Sequence, residues 1–381
     1  MADFTLDTAV VEQYVRYVAA RCYPALAGGP IDVRLHAEQA RPASIHLLYE
    51  LSAGDARHML RVKVPLLQAD SAGAATEVSD RPRLAPLTAP NEKYELEYTA
   101  LAEIQRHFEM LADPRFSAVR VLDYLPQQRA VILEECPYPT LRALFATRTR
   151  LRPRLGSRAL DAAFRNAGAW LRSYHGLTKQ EPAPKRDYQR RDFIDMVGQF
   201  ATYIAGVFGD EELFECTAAA AAELAQDSLP AELPLGLGHG DYAMRNIFVG
   251  PEDQIVVIDT LARWRTPIYE DIAYFLVALK ANGMQTLTQG LAYPESWLDH
   301  YEAEFLAGYF DRQPVPYEAI RLYEIQALLD LWAFTVAPAN TPAGSLMTRL
   351  RRWSASQVFR RYLIELLHAL DVQNLPVRSV A

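Results

Sequence analysis

The chain has 381 residues, of which 50% are hydrophobic and 23% charged, and carries a net charge of −8 from 39 Lys plus Arg against 47 Asp plus Glu. Such a composition describes a globular protein of two to three domains or one two-lobed unit, and it excludes collagenous, coiled-coil and disordered chains. The acidic balance argues against sequence-independent attraction to nucleic acid or anionic lipid. No apolar run approaches the roughly 20 residues of a membrane span; the most convincing, from Ile272 to Leu279, closes at Lys280.

The opening residues MADFTLDTAVVEQYV carry acids where a signal peptide has a basic region. Cys22, Cys136 and Cys216 are far apart and lack metal-ligand spacing, so a reducing cytoplasm is the expected location. From Asp7 to Cys22 the set Val10, Val11, Tyr14, Val15 and Val18 predicts a helix. Strand-like runs follow at 31–35, 45–51 and 58–64, the last two joined by the turn Ser52-Ala53-Gly54-Asp55. Residues 68–91, rich in Ala, Ser, Pro and charge, read as a long insertion. A helix is expected from Glu92 to Leu111, then strands at 118–124 and 130–134. After Pro137 and Pro139 the pattern turns helical, at 141–145, 160–174, 192–207, 211–225 and from Tyr269 onward. One hairpin interrupts it, with strands 246–249 and 255–258 around Gly250-Pro251-Glu252-Asp253.

That hairpin is framed by the most informative segment of the chain. Gly238-His239-Gly240-Asp241 is followed by Asn246, five residues after the Asp, and an apolar strand ends at Asp259. Phosphoryl transfer needs a carboxylate in reach of an acceptor hydroxyl, and oxygen ligands that hold magnesium against nucleotide phosphates. Asp241 fits the base, and Asn246 and Asp259 fit the metal ligands, because a hairpin can return the second carboxylate toward the first loop. His239 is better suited to shaping the loop than to moving protons. Asp271 is expected to tie the start of its helix to the same loop.

The ordered set His239, Asp241, Asn246 and Asp259, with Pro267-Ile268-Tyr269-Glu270-Asp271 downstream, resembles the aminoglycoside phosphotransferase and choline kinase superfamily. The match is specific over about 237–275 and orderly elsewhere. It implies an α+β, bilobal, protein-kinase-like fold: an antiparallel five-stranded lobe with a helix over 1–136, binding nucleotide, and a mainly α-helical lobe over 137–381 carrying the catalytic loop, metal site and acceptor site. By the same resemblance Lys63, in Leu60-Arg61-Val62-Lys63-Val64, stands where a strand lysine meets the α and β phosphates. Glu97 is its expected ion-pair partner, with Glu95 left as the alternative, because residues two apart on a helix point to different faces and only one can reach the lysine. Glu134, Glu135 and Cys136 correspond to the hinge whose backbone holds adenine. Two features depart from the pattern. Residues Ala37 to Ser44 contain no glycine where a phosphate-covering loop is expected, leaving Ser44 as a candidate phosphate contact. Ala243 stands where protein kinases carry a lysine, with Arg245 available to supply that charge.

The resemblance implies a magnesium-dependent kinase that moves the γ-phosphoryl of ATP, with GTP left open as donor, to a hydroxyl of a small-molecule or glycan acceptor. Sugars and glycans rank first, because Arg349, Arg351, Arg352, Arg360 and Arg361 form a basic cluster suited to a polar or anionic saccharide. The bland reading of that cluster is a solvated helix face, and a peripheral membrane contact is a further use of it. Choline-like amino alcohols and aminoglycosides are the alternative acceptors. A pseudokinase-like scaffold is the alternative of another class. Oligomeric state is not legible in the sequence.

Overall fold

Asp7 caps the first helix, its carboxylate accepting from the backbone N–H groups of Ala9 and Val10 at 3.0 and 3.1 Å. That helix, α1 (Thr8–Cys22), buries Val11, Val15 and Val18, residues spaced by four and three along one stripe. The computed structural model describes residues 6–26, 29–40, 44–65, 81–82, 84, 90–147, 158–177, 189–260, 264–281, 283–337 and 346–372. Two compact units divide the chain: Met1–Val78, Leu87–Tyr138 and Gln254–Ala262 form the first, and Ser79–Pro86, Pro139–Asp253 and Arg263–Ala381 the second.

In the first unit α1 is followed by β1 (Asp32–Ala40), β2 (Ser44–Ala53) and β3 (Ala56–Pro65), then α2 (Pro90–Leu111), β4 (Phe116–Ala118), β5 (Val121–Leu125) and β6 (Ala130–Glu134). The five-stranded antiparallel sheet expected from the sequence is present, in the order β1-β2-β3-β6-β5. Its first strand runs past the predicted end at residue 35, because pairing with β2 continues through an irregularity between Leu35 and Ala37 to Ala40 against Ile45. The single strand predicted over 118–124 is two. β4 leaves the sheet and pairs in parallel with the strand Ile255–Val257, Phe116 opposite Ile255. Alternation along β2 and β3 sends Leu47, Tyr49, Leu51, Leu60, Val62 and Val64 into one core with α1, and by the same period of two places Arg61 and Lys63 on the other face. Of the insertion predicted over 68–91, residues 68–80, 83 and 85–89 lie outside the described residues, as do residues 41–43 of the glycine-free segment.

The second unit is mainly helical: α3 (Leu141–Ala146), α4 (Arg158–His175), α5 (Arg190–Phe208), α6 (Glu211–Ser228), α7 (Ile268–Lys280), α8 (Gly283–Leu287), α9 (Glu295–Phe310), α10 (Tyr317–Val336) and α11 (Leu346–Ala369). Two glycines let α4 and α9 touch backbone to backbone. A Cβ on Gly308 would stand 1.8 Å from the Arg165 carbonyl oxygen, and one on Gly168 would stand 2.0 Å from that of Phe305. Short strands Leu235–Leu237 and Arg265–Pro267 pair antiparallel and bracket the segment that holds the catalytic motif. Within that segment Asn246 sits in a helical turn, Met244–Asn246, rather than on the strand predicted to begin there.

Candidate active site

Lys63 projects from β3 into the first unit and is 7% exposed. Its ammonium donates to both Glu97 carboxylate oxygens at 2.7 and 2.9 Å and to Asp259 Oδ1 at 2.7 Å. A lysine has three N–H donors, so all are engaged. Burial favours a neutral amine, but the two carboxylates outweigh it and hold the ammonium above its ordinary value. Glu97 is buried, whereas Glu95 is exposed on another face of α2. Asp259 stands just past the strand Ile255–Val257 in a left-handed backbone conformation, φ +62°. Its side chain keeps 36% exposure.

The predicted hinge is partly spent on the protein itself. The Glu134 and Glu135 amides donate to the carbonyls of Arg120 and Met59 at 2.9 and 3.0 Å. Glu135 takes a two-pronged ion pair from Arg61 at 2.6 and 2.7 Å, and Glu134 accepts from the Tyr23 hydroxyl at 2.9 Å. Burial pushes the Cys136 thiol up to about 11, so it stays protonated. Ser44, the candidate phosphate contact, is buried, with its hydroxyl 3.1 Å from His46 Nε2.

In the second unit the Asp241 carboxylate is held by three donors. Asn246 Nδ2 reaches Asp241 Oδ2 and its backbone carbonyl, both at 2.9 Å. The Tyr274 hydroxyl donates to Oδ1 at 2.9 Å, and Arg245 donates to the same oxygen. Arg245 also lies 3.2 Å from the Tyr274 hydroxyl. Burial would lower the Arg245 pKa, but Asp241 and Tyr274 outweigh it. Burial pushes the Tyr274 phenol up to about 12, with Asp241 adding to the shift, so the hydroxyl remains a donor. Arg245 and Tyr274 also line a cavity of about 160 Å³, with Arg142 and an apolar wall that includes Val277, Ala281 and Leu331.

The loop that carries Asp241 is fixed from behind. Asp271, buried in the first turn of α7, accepts from the backbone N–H groups of His239 and Gly240 at 2.6 and 2.8 Å. Gly240 has φ +80°, a conformation that favours glycine. His175 bridges Asp271 at 3.1 Å and the Tyr309 hydroxyl at 2.7 Å. Burial raises a carboxyl pKa, yet His175 and the loop donors outweigh it and hold Asp271 below its ordinary value. His239 Nδ1 accepts from the Asp241 amide at 3.3 Å, and its ring lies among Trp170, Tyr174 and Tyr242. The Tyr242 hydroxyl donates to the Ala167 carbonyl at 2.7 Å, anchoring the loop to α4.

Each unit thus gathers its own predicted residues: Lys63, Glu97 and Asp259 in the first, Asp241 and Asn246 in the second. The predicted ligands fit magnesium, which takes hard oxygen donors, keeps waters and shares its shell with substrate phosphates. Asp259 supplies carboxylate oxygens. Asn246 commits both N–H bonds of its amide to Asp241, which fixes the amide and leaves Oδ1 as its acceptor. Sequence reasoning missed His175 and Tyr274. Three arginines of the carboxy-terminal cluster tie neighbouring segments together, the Arg351 side chain lying outside the described residues: Arg352 donates to the Ala337 carbonyl at 2.9 Å, Arg360 pairs with Asp210 at 3.2 Å, and Arg361 donates to the Gln289 carbonyl at 3.2 Å.

Comparison with known proteins agrees with this fold. A model of the phosphotransferase enzyme family, APH, matches residues 83–323, more than half of the chain. Among solved structures, an ethanolamine kinase from Plasmodium vivax aligns over 94% of this chain and 92% of its own, with 10% identity and a TM-score of 0.50. Spectinomycin phosphotransferase APH(9)-Ia, in complex with ADP and spectinomycin, aligns over 94% of this chain and 98% of its own, with 13% identity and a TM-score of 0.53. At such identities these two likenesses speak for the fold alone. No curated protein matches the sequence. The matched segment and the kinase-like fold define an ATP-dependent phosphotransferase with a hydroxyl acceptor. The chain belongs to the APH phosphotransferase enzyme family.

Proposed function

We propose that the chain is a magnesium-dependent small-molecule kinase that transfers the γ-phosphoryl of ATP to a hydroxyl of a sugar, glycan or related polar acceptor. The observation that carries this reading is the Asp241 carboxylate, oriented by Asn246, Tyr274 and Arg245, the last two of which line a cavity. A carboxylate offers about four acceptor positions, and three donors occupy the Asp241 oxygens, which leaves room for one hydroxyl. As the P–O bond to ADP breaks and the bond to the acceptor oxygen forms, the hydroxyl proton passes to Asp241.

Residues 1–136 serve nucleotide binding and 137–381 carry the catalytic loop and acceptor site, while the segment with Asp259 belongs by packing to the first unit. Lys63, steadied by Glu97, holds the phosphates; one of its three bonds, that to Asp259, gives way when it does. Asp259 and Asn246 would hold magnesium, which when bound would neutralise phosphate charge. At the hinge, with the Glu134 and Glu135 amides engaged, the Cys136 backbone is left to meet adenine. Cys22, Cys136 and Cys216 are free thiols, in keeping with a reducing cytoplasm. Among the described residues no helix is long and apolar enough to cross a membrane.

The test is ATP consumption with and without magnesium across sugars, glycans, amino alcohols and aminoglycosides. Acceptor-dependent turnover that needs magnesium and favours sugar hydroxyls is expected. Turnover confined to amino alcohols or aminoglycosides would move the acceptor to the amine class. ATP binding without turnover on any acceptor would favour the scaffold reading.

A further inference from the structure

The cavity beside Asp241 has an unbalanced charge. Arg142 and Arg245 line it with the Tyr274 hydroxyl, and no carboxylate lines it among the described residues. The acids nearest in sequence to its walls are already paired. Asp241 holds Arg245, and Asp330, next to the lining residue Leu331, takes an ion pair from Arg81 at 3.2 Å. Arg142 is different: among the described residues it makes no ion pair or hydrogen bond, and its side chain is exposed. It stands in the first turn of α3, a helix capped by Thr140, whose hydroxyl accepts from the Ala143 amide at 3.1 Å. Bonds between Pro139 and Val249, and a bridge from Thr140 to Phe248, hold that helix against the strand that follows the catalytic loop. Arg142 is therefore a surplus positive charge, carried on an anchored helix, that lines the same cavity as Arg245 and Tyr274, the two residues bonded to the Asp241 carboxylate.

We propose that the acceptor is an alcohol bearing an oxyanion group, a carboxylate or phosphate, which Arg142 binds while its hydroxyl meets Asp241; this rests on the kinase reading above. A planar guanidinium offers paired donors to either oxyanion. Cationic acceptors are disfavoured at the same place, since an ammonium would meet an unpaired guanidinium with no carboxylate on the cavity wall to offset it. The apolar wall of Val277, Ala281 and Leu331 suits the carbon frame, and a cavity of about 160 Å³ is the size that takes one six-membered ring.

The experiment uses two acceptor sets that differ in one group: glucose, glucosamine, glucuronate and glucose 6-phosphate, and glycerol, serinol, glycerate and glycerol 3-phosphate. Binding by calorimetry and magnesium-ATP turnover are measured on the wild type, Arg142→Lys and Arg142→Glu, all confirmed folded by their melting curves. In at least one set the wild type should bind an anionic member about tenfold or more tightly than its neutral and cationic partners. Arg142→Glu should abolish that preference through KM with kcat little changed, and Arg142→Lys should keep most of it. The carboxylate and phosphate arms tell the two oxyanions apart. Anionic members binding no better than neutral ones, or a preference that survives Arg142→Glu, would overturn the inference. Arg142-dependent anion binding without transfer to any member would overturn the kinase reading instead and leave the anion subsite standing.

Discussion

Lys63 shows how much of the proposed nucleotide chemistry rests on single residues. Removing one partner of a buried pair strands the other charge, which costs about 3–5 kcal/mol. Glu97→Ala should lower stability by about that much, read as a fall in the urea midpoint, and should weaken ATP binding more than a matched Glu95→Ala. Because the Lys63 pKa is raised above its ordinary value of 10.5, this stabilisation is complete below that pH and is lost only as pH climbs beyond it. Asp271 has the opposite sign. Its pKa is held below 3.8, so its contribution is present above about pH 4 and disappears as pH falls further. Asp271→Asn should destabilise by about 3 kcal/mol at neutral pH, lower kcat through the loosened loop, and flatten the acid limb of the stability profile. A wild-type limb unchanged by the substitution would remove Asp271 from the linkage. Much of this was legible. The stripe Tyr94, Leu101, Ile104 and Phe108 selects Glu97 over Glu95, since Glu97 falls three after Tyr94 and four before Leu101. His175 carried no such signal, because a lone histidine at a helix end reads as an ordinary terminal cation and its partner lies 96 residues away.

At the scale of elements, α7 organises the second unit's chemistry with one face. Asp271, Tyr274, Ala278 and Ala281 recur at intervals of three and four, so the same stripe that fixes the loop orients the base and then walls the cavity. The sequence hid this, because the whole segment is apolar and a helix buried on most sides shows little periodicity. The crossing of α4 and α9 was hidden for a similar reason: Gly168 and Gly308 look like poor helix residues until their backbone contacts are known. Gly308→Ala should cost about 1–3 kcal/mol in chemical denaturation. It should also reduce turnover, since α4 carries the Ala167 carbonyl that anchors Tyr242 and the His175 that holds Asp271. An alanine variant as stable as the wild type would contradict the close approach.

For the whole molecule, two segments cross the main division at Tyr138 and Pro139. Gln254–Ala262 returns to the first unit from the middle of the second, and Ser79–Pro86 packs with the second. Neither excursion shows in the residue pattern, because segment exchange follows from long-range pairing such as β4 with the strand Ile255–Val257. A fragment of residues 1–138 lacks that strand and Asp259, so it should neither melt cooperatively nor gain stability from magnesium-ATP, whereas the full chain should do both. On the proposed reading the two units bring different halves of the reaction, and Asp241 as base is what makes nucleotide binding productive. The most direct test of that division compares wild type and Asp241→Asn for formation of phosphorylated acceptor and for ATP affinity in the same magnesium buffer. A positioned general base contributes about 10²–10⁴ in rate, so product formation should fall at least a hundredfold while the ATP Kd stays within about twofold. Product formed by Asp241→Asn at near the wild-type rate would contradict the assignment of Asp241 as the base.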